Sequence, residues 1–283
     1  MDQEIQFHSA ASYTLDAVGE IFTCCFEGYF YAATVTAAML SQRIRAENLD
    51  LQRSVVMHQG REPAGIALIG LRGERAWCGG FGVAAAVRGQ GLAHRLAAAM
   101  LDQARQAGVR EFSLEVLTRN TSAIKTYRRA GMRVRRDLRL LEWRRDPSAA
   151  LEQEQASARL VAWQPRRLLA EFDALHPVPA AWQRDLPALL VRAGMQSLAM
   201  VAGDRPVAYV LFQLNAEGRA QIADLGAERA EQARTLLAAL QQRAQHIVSV
   251  NEPADSPLAP TFDELGFVES DRQHELVIDL AST

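Results

Sequence analysis

One stretch of the chain, residues 82–96, constrains the fold more than any other. It begins as a short apolar strand, turns through Arg88-Gly89-Gln90-Gly91 and continues into an alanine-rich helix that reaches about Gly108. Two glycines at the turn permit positive φ angles and close approach of the backbone. The helix that follows begins with unpaired N–H groups at the positive end of its dipole. This arrangement predicts an anion site, best suited to a phosphate or pyrophosphate.

The glycine spacing excludes two common nucleotide sites. The dinucleotide pattern G-x-G-x-x-G fails because His94 stands where the third glycine is needed, and the run G-x-x-x-x-G-K-[ST] of the P-loop is absent. What remains is Arg88-x-x-Gly91-x-Ala93, which resembles the acyl-CoA signature Gln/Arg-x-x-Gly-x-Gly/Ala of the GCN5-related N-acetyltransferase (GNAT) family. A plain strand–helix turn is the alternative interpretation of so short a pattern.

Composition sets the class of protein. A chain of 283 residues predicts two domains, and 49% apolar with 23% charged residues is typical of a soluble globular protein. The net charge of −2 supplies no general attraction to nucleic acid or to an anionic membrane, and no apolar run is long enough to span a bilayer. The acidic N-terminus has no signal-peptide pattern, so we expect a cytoplasmic protein.

The cysteines and histidines predict no metal site. Cys24, Cys25 and Cys78 lack C-x-x-C spacing, and the adjacent pair is a poor disulfide. The six histidines are scattered from His8 to His274. Buried or half-buried thiols are therefore the expected role of the cysteines.

Hydrophobic periodicity and turn residues predict the order of elements in the first half of the chain. The order is α-α-β-β-β-α-β-α-β, an α+β arrangement with one central strand–helix–strand crossover. The predicted elements are two helices within residues 11–50, a hairpin of Ser54–His58 and Ala64–Leu71, the strand Ala76–Ala85, the helix 91–107, the strand Glu111–Leu117, the helix Thr121–Ala130 and the strand Val134–Trp143.

A second motif extends the family resemblance. Leu114-Glu115-Val116 is followed by Asn120-x-x-Ala123-x-x-x-Tyr127-x-x-x-Gly131-Met132, which resembles the run that GNAT proteins carry after the same strand. Two motifs in the expected order, on the expected elements, extend the resemblance over residues 1–145. It implies a GNAT fold, acetyl-CoA as cosubstrate, and direct attack of an amine on the thioester.

The resemblance also implies which residues bind the cosubstrate. The strand edge at Val83 and Ala85 would pair with the pantetheine arm. Asn120 is a cofactor contact or a helix cap. The turn and helix start would bind the pyrophosphate through Arg88, Gly89, Gln90, Gly91, Leu92, Ala93 and His94.

Two residues are candidates for acid–base catalysis. The motif makes Tyr127 the acid that protonates the leaving thiolate, with a core-packing tyrosine as the alternative. Glu115 is the candidate base, because some family members place a base twelve residues before the tyrosine; an ordinary solvent-facing strand residue is the alternative. The strand 77–81 has no acid, where other members often have one.

An aromatic cluster lies between the first two predicted helices. Phe26, Tyr29 and Phe30 belong to the run Phe-Glu-Gly-Tyr-Phe-Tyr, which core packing commonly explains. In the GNAT family this connection lines the acceptor pocket, so the resemblance implies that these three residues contact substrate.

The second half of the chain partly repeats the first. Residues 146–157 are polar and predict a linker or a solvated connecting helix. Beyond it, Phe262-Asp263-Glu264-Leu265-Gly266-Phe267 follows Tyr127–Met132 at a spacing of 135 residues. At that spacing Phe262 replaces Tyr127 and Asp255 replaces Asn120, and Glu228 and Glu231 would repel a pyrophosphate. We therefore expect a catalytic domain over residues 1–145 and a degenerate, non-catalytic GNAT-like domain over 158–283. Each would be a mostly antiparallel mixed sheet flanked by helices.

The leading hypothesis is an N-acetyltransferase that moves an acetyl group from acetyl-CoA to a primary amine. A non-catalytic acyl-CoA sensor would keep the anion site without needing Tyr127. The tyrosine is kept in the first copy and lost from the second copy alone, which favours catalysis. Acyl transfer to a small-molecule thiol is a third hypothesis. The sequence does not identify the acceptor substrate. The oligomeric state is left open, and a homodimer is one option.

Overall fold

The structure is a computed structural model that describes residues 4–31, 34–146 and 160–281. The chain forms two compact units, one of Met1–Arg135 with His274–Thr283 and the other of Arg136–Gln273. The predicted linker, residues 146–157, lies outside the described residues except for residue 146.

The elements of the first half follow the predicted order, with one strand added at the start. They are β1 (Ile5–Ser9), α1 (Leu15–Cys25), α2 (Ala37–Glu47), β2 (Val55–Gln59), β3 (Glu62–Arg72), β4 (Arg75–Val83), α3 (Leu92–Gln106), β5 (Glu111–Leu117), α4 (Thr121–Arg129) and β6 (Arg133–Arg144). The sequence did not predict β1, because three of its five residues are exposed and only backbone pairing with β2 makes it a strand.

The second half repeats this order after a short helical region. Its elements are α5 (Pro165–Leu168), α6 (Phe172–Leu175), α7 (Leu186–Val191), β7 (Gln196–Ala202), β8 (Arg205–Leu214), β9 (Arg219–Ala227), α8 (Ala230–Gln241), β10 (His246–Pro253), α9 (Ala259–Glu264) and β11 (Val268–Asp279). None of the helices in the described ranges is long and apolar enough to cross a membrane.

The sheet of the first unit is mixed. Its strand order is β1-β2-β3-β4-β5 followed by the part of β11 that belongs to this unit. Pairing is antiparallel from β1 to β4 and parallel between β4 and β5. The parallel pairing extends only from Arg75↔Glu111 to Trp77↔Ser113. Beyond those residues β4 and β5 separate and leave a gap in the sheet.

An irregularity in β4 lies beside this gap. The register with β3 shifts between Leu68 and Ile69, which leaves Gly79 as an extra residue in β4. The carbonyl of Gly79 accepts a hydrogen bond from the Arg43 guanidinium on α2. The bulge is thus stabilised by a side chain from outside the sheet.

Helices cover both faces of this sheet. On one face Leu96 and Met100 of α3 pack with Phe112 and Leu114 of β5 in the main core of the unit. Leu96 and Met100 are four residues apart and therefore lie on the same buried face of α3. Gly108 follows the helix, and its φ of +72° ends the helical conformation. On the other face α1 packs closely, because a Cβ at Gly80 would collide with the Phe22 ring.

The second unit contains a sheet of order β6-β10-β9-β8-β7. Its pairs β7–β8, β8–β9 and β10–β6 are antiparallel, and β9–β10 is parallel. A buried cluster that includes Leu236, Leu237 and Phe262 packs α8 and α9 on one face. The predicted α+β fold with two similarly ordered halves is therefore confirmed, and each half has one parallel crossover.

The compact units differ from the predicted domain limits in their last strands. The sequence places Val134–Trp143 in the first domain, whereas β6 pairs with β10 in the second unit, from Arg144↔His246 to Leu138↔Pro253. Residues 274–283, predicted for the second domain, belong to the first unit. A sequence repeat defines the order of elements but not the sheet that its last strand joins, because strand pairing is made by backbone groups common to both copies.

Candidate functional site

The turn between β4 and α3 has the backbone geometry that its glycines predict. A short 3-10 turn, Ala85–Val87, follows β4, and Gly89 and Gly91 have φ angles of +80° and +79°. Gly91 is the N-cap of α3. The amides of Leu92 and Ala93 begin the helix and therefore have no carbonyl one turn earlier. The turn thus presents backbone N–H groups at the positive end of a 15-residue helix.

A cleft of about 580 Å³ borders this turn in the first unit. The turn, the end of α1 with the aromatic residues after it, and α4 all contribute to its walls. Eleven of the predicted site residues line it: Phe26, Tyr29, Phe30, Val83, Arg88, Gly89, Gly91, Leu92, Ala93, His94 and Asn120.

Four predicted site residues do not line the cleft. Ala85 lies in the 3-10 turn. The side-chain oxygen of Gln90, Oε1, accepts a hydrogen bond from Gln59 Nε2 at 3.4 Å. Tyr127 lies immediately behind the cleft wall, since its ring packs edge-on against Phe81 with 5.4 Å between centroids. The fourth, Glu115, is described separately below.

Tyr127 is buried, with 5% of its surface exposed. Burial is the main cause that raises its pKa well above the usual value, and the neighbouring Cys78 and Tyr29 raise it further. The phenol is therefore neutral at every pH near neutrality. A neutral phenol can donate a proton or a hydrogen bond.

Glu115 carries a buried carboxyl group in β5. The Trp77 indole N–H donates to its Oε2 at 2.6 Å, and Oε1 is buried with no hydrogen-bond partner among the described residues. Desolvation raises the Glu115 pKa to about 8, against the lowering effect of the Trp77 hydrogen bond, and the charges of Glu275 and Glu47 raise it further. The Glu115 carboxyl therefore does not match the alternative interpretation, an ordinary solvent-facing strand residue. Its raised pKa means that it titrates near neutral pH.

Asn120 serves as the N-cap of α4 and also lines the cleft. Its Oδ1 accepts hydrogen bonds from the Ala123 amide at 3.3 Å and from the Ser122 hydroxyl at 3.1 Å. The cap alternative therefore describes its contacts in this structure, because its side-chain oxygen is engaged by the helix start.

The aromatic residues after α1 form a continuous series of ring contacts. Phe22 stacks on Phe26, Phe26 meets Tyr29 edge-on, and Tyr29 meets Phe30 edge-on. Phe30 is 45% exposed and lies beneath the Arg119 guanidinium. The cluster is thus packed at its α1 end and open at its other end.

The Arg88 side chain makes contacts that the sequence did not predict. The sequence places its charge near a bound pyrophosphate, whereas its guanidinium donates to the carbonyls of Val83, Cys25 and Glu27. The sequence motif does not reveal these partners, because two of them lie about sixty residues earlier in the chain.

The cleft also contains residues that sequence reasoning did not select. They are Cys25, Gly28, Phe81, Val87, Ser122, Ala123, Thr126 and Arg129. Several lie inside the quoted motifs, and the helical spacing of Ala123 and Thr126 with Asn120 could have identified one face of α4. Arg129, which hydrogen-bonds His94 at 3.0 Å, has no sequence signal.

The second unit lacks the glycine turn. Its β9–α8 connection consists of Glu228 and Arg229 alone, and Gly226 lies within β9 instead of before the helix. Glu228 is paired with Arg205, and Glu231 occupies the first turn of α8. A carboxylate thus lies where the first unit presents free amides.

Strands β9 and β10 of the second unit also separate, beyond the pair Ile222↔Ser249. Buried polar side chains border the opening: His176 Nε2 lies 3.0 Å from Asp224 Oδ1, and the Tyr209 hydroxyl donates to Asp224 Oδ2 at 2.8 Å. The adjoining cavity is about 20 Å³, room for about one water molecule. In the parts of the chain that the structure describes, no group of three or more His, Cys, Asp or Glu residues could hold a metal ion.

A comparison with models of known protein families identifies a domain in the first half of the chain. The model of the acetyltransferase (GNAT) family matches residues 15–132, which include the glycine turn, β5 and α4. Residues 15–132 therefore form a domain of the GNAT family. Members of this family are acyltransferases, so acyl transfer from an acyl-CoA is the general chemistry of the GNAT domain. A comparison with curated protein sequences finds no match.

Solved structures confirm a tandem GNAT fold. A tandem GNAT protein from the clavulanic acid biosynthesis pathway is 16% identical, with a TM-score of 0.70 and 98% of each chain covered. A GCN5-related N-acetyltransferase from Sphaerobacter thermophilus is 15% identical, with a TM-score of 0.68, covering 97% of this chain and 95% of that one. Another from Anabaena variabilis is 16% identical, with a TM-score of 0.63, covering 97% and 72%. At these identities the similarity concerns the fold.

Proposed function

We propose that the protein is an N-acetyltransferase that moves an acetyl group from acetyl-CoA to a primary amine. The first unit of this GNAT protein carries the reaction, and the second unit is non-catalytic. One observation carries the proposal: a single cleft brings the glycine turn of α3, the face of α4 and the aromatic residues after α1 together.

The cleft has features that suit acetyl-CoA. Its volume of about 580 Å³ is in the range of small-molecule sites. The positive φ angles of Gly89 and Gly91 expose backbone amides suited to a pyrophosphate. Arg129 on α4 lines the cleft and hydrogen-bonds His94 at the start of α3, so it adds positive charge near the turn.

The mechanism uses the gap between β4 and β5. Acetyl-CoA supplies the acetyl thioester. The β4 amides beyond Trp77 that point away from β3 have no partner in β5 and are available to a carbonyl oxygen or an amide. Glu115 takes a proton from the amine, which is otherwise an ammonium at neutral pH, since such groups have pKa values near 10.4. As the carbon–nitrogen bond forms and the carbon–sulfur bond breaks, Tyr127 donates a proton to the thiolate that leaves. The second proton that the amine nitrogen loses in becoming an amide returns to the Tyr127 oxygen.

The proposal is tested by turnover with a panel of primary amines. Purified protein is incubated with acetyl-CoA and polyamines, aminoglycosides, amino acids or a lysine peptide. Thiol release is followed, and products are identified by mass spectrometry. An N-acetylated amine supports the proposal. Tight acetyl-CoA binding without transfer would favour the sensor hypothesis, and an S-acylated product would favour transfer to a thiol.

Other properties stay predictions from the sequence. A cytoplasmic location and the lack of nucleic-acid or membrane partners follow from composition alone. A homodimer is an option that sedimentation or light scattering would decide.

A further inference from the structure

Three backbone carbonyls occupy the Arg88 guanidinium. Its Nε donates to Val83 O at 2.9 Å, and its Nη2 donates to Cys25 O at 3.1 Å and to Glu27 O at 2.7 Å. These hydrogen bonds have a charged donor, so they are stronger than those between neutral groups. They use a planar fork that a lysine ammonium does not reproduce.

One of these acceptors, Cys25 O, is a carbonyl of the last turn of α1, and a second, Glu27 O, lies two residues beyond the end of the helix. The helix ends at Cys25, so the carbonyls of its last turn have no amide one turn later. A positive charge at a helix C-terminus is also favourable for the helix dipole. Arg88 therefore caps α1 from the other side of the cleft.

The capped end of α1 leads directly into the aromatic segment, defined as residues 26–31. This segment lines the cleft through Phe26, Tyr29 and Phe30. At its far end the Arg119 guanidinium carbon lies 4.6 Å from the Phe30 ring centroid and 5.4 Å from that of Tyr31. Two arginines thus hold the segment, one at each end.

We propose that Arg88 is a positioning residue for the acceptor amine instead of a ligand of the acetyl-CoA phosphates. By joining β4 to the end of α1, it sets where the aromatic segment lies relative to the glycine turn. Rotation of the guanidinium toward an anion at the turn would break all three hydrogen bonds. The backbone amides of the turn bind the phosphates without it. This proposal rests on the proposed N-acetyltransferase function.

The first test measures the segment directly in the full-length protein. Amide hydrogen exchange of peptides covering residues 25–31 is compared between wild type, Arg88→Ala, Arg88→Lys and the control Arg95→Ala. Arg95 is an exposed arginine on the first turns of α3. We expect exchange to rise about tenfold in both Arg88 variants, because the α1 cap is lost, and to be unchanged in the control.

The second test separates the two substrates. Calorimetry should show that acetyl-CoA affinity changes less than about threefold in Arg88→Lys and Arg88→Ala. With the panel amine that wild type acetylates fastest, the KM for the amine should rise about tenfold or more while the KM for acetyl-CoA is nearly unchanged. A general loss of folding would not produce this split.

Two results would overturn the proposal. One is unchanged exchange of residues 25–31 in Arg88→Ala. The other is a loss of acetyl-CoA affinity of about tenfold or more in Arg88→Ala that Arg88→Lys restores, since a phosphate ligand needs mainly charge. The exchange and calorimetry measurements need no turnover. A failure of the N-acetyltransferase proposal is therefore distinguishable from a failure of the Arg88 proposal.

Discussion

At the scale of single residues, Tyr127 is the phenol that we propose as the acid. Its ring packs on Phe81, which lines the cleft, and burial raises its pKa well above the usual value. A phenol that stays neutral keeps its proton until the thiolate forms. Replacing only the hydroxyl leaves the packing of the ring intact.

We therefore predict that Tyr127→Phe lowers kcat by roughly 10²-fold with little change in acetyl-CoA affinity. Tyr13→Phe is the matched control, because Tyr13 packs on His58, which does not line the cleft, whereas Tyr127 packs on Phe81, which does. Steady-state turnover and calorimetry provide the two values. Full activity in Tyr127→Phe would exclude the acid role.

Glu115 determines the expected pH dependence. Its pKa is raised from 4.5 to about 8, so the base form appears only as the pH passes that value. We predict that kcat/KM rises with pH through an inflection near 8. In Glu115→Gln this inflection should disappear and the rate should fall by about 10²-fold or more. A pH–rate profile of both proteins is the measurement.

The raised pKa of Glu115 also makes the stability of the fold depend on pH. The folded protein favours the neutral Glu115, so ionisation above the unfolded pKa progressively destabilises the fold until the pH exceeds about 8. The melting temperature of Glu115→Gln relative to wild type should therefore increase between pH 5 and pH 9. A constant difference would mean that the Glu115 carboxyl is not desolvated.

At the scale of elements, the β4–α3 turn depends on two glycines. Gly91 has φ of +79°, and a Cβ there would meet no atom within 4 Å. A substitution is therefore opposed by backbone strain and by the charge it brings, not by crowding.

We predict that Gly91→Glu abolishes acetyl-CoA binding, because it adds a negative charge where the amides of α3 would receive a phosphate. Gly108→Glu is the control, since Gly108 has φ of +72° and equally open space at the other end of the same helix. Calorimetric titration compares the two. Retained affinity in Gly91→Glu would show that the anion site lies elsewhere.

At the scale of the whole molecule, the two halves share an order of elements but not a binding turn. The β9–α8 connection has two residues, Glu228 and Arg229, and the opening beside β9 contains the buried His176–Asp224–Tyr209 contacts. A cavity of about 20 Å³ there has no room for a cosubstrate.

We predict one acetyl-CoA site per chain. Calorimetric titration of the full-length protein should give a stoichiometry near one, and Gly91→Glu should remove that site completely. A stoichiometry of two, or one site remaining in Gly91→Glu, would assign cosubstrate binding to the second unit.

The sequence by itself determined the family, the order of elements and the glycine turn. Such features depend on local properties, namely hydrophobic period, glycine at positive φ and helix caps, which neighbouring residues carry. Both motifs lie on the elements predicted for them. Asn120 caps α4, which is one of the two roles predicted for it.

Only the tertiary structure decided the rest. The strand β1, the sheets that the last strands join, the carbonyl partners of Arg88 and the buried carboxyl of Glu115 all depend on groups far apart in the chain. Backbone pairing leaves little trace in side-chain pattern, since every residue except proline offers the same donor and acceptor. Desolvation likewise depends on which side chains are folded around a carboxyl, and no local motif records that.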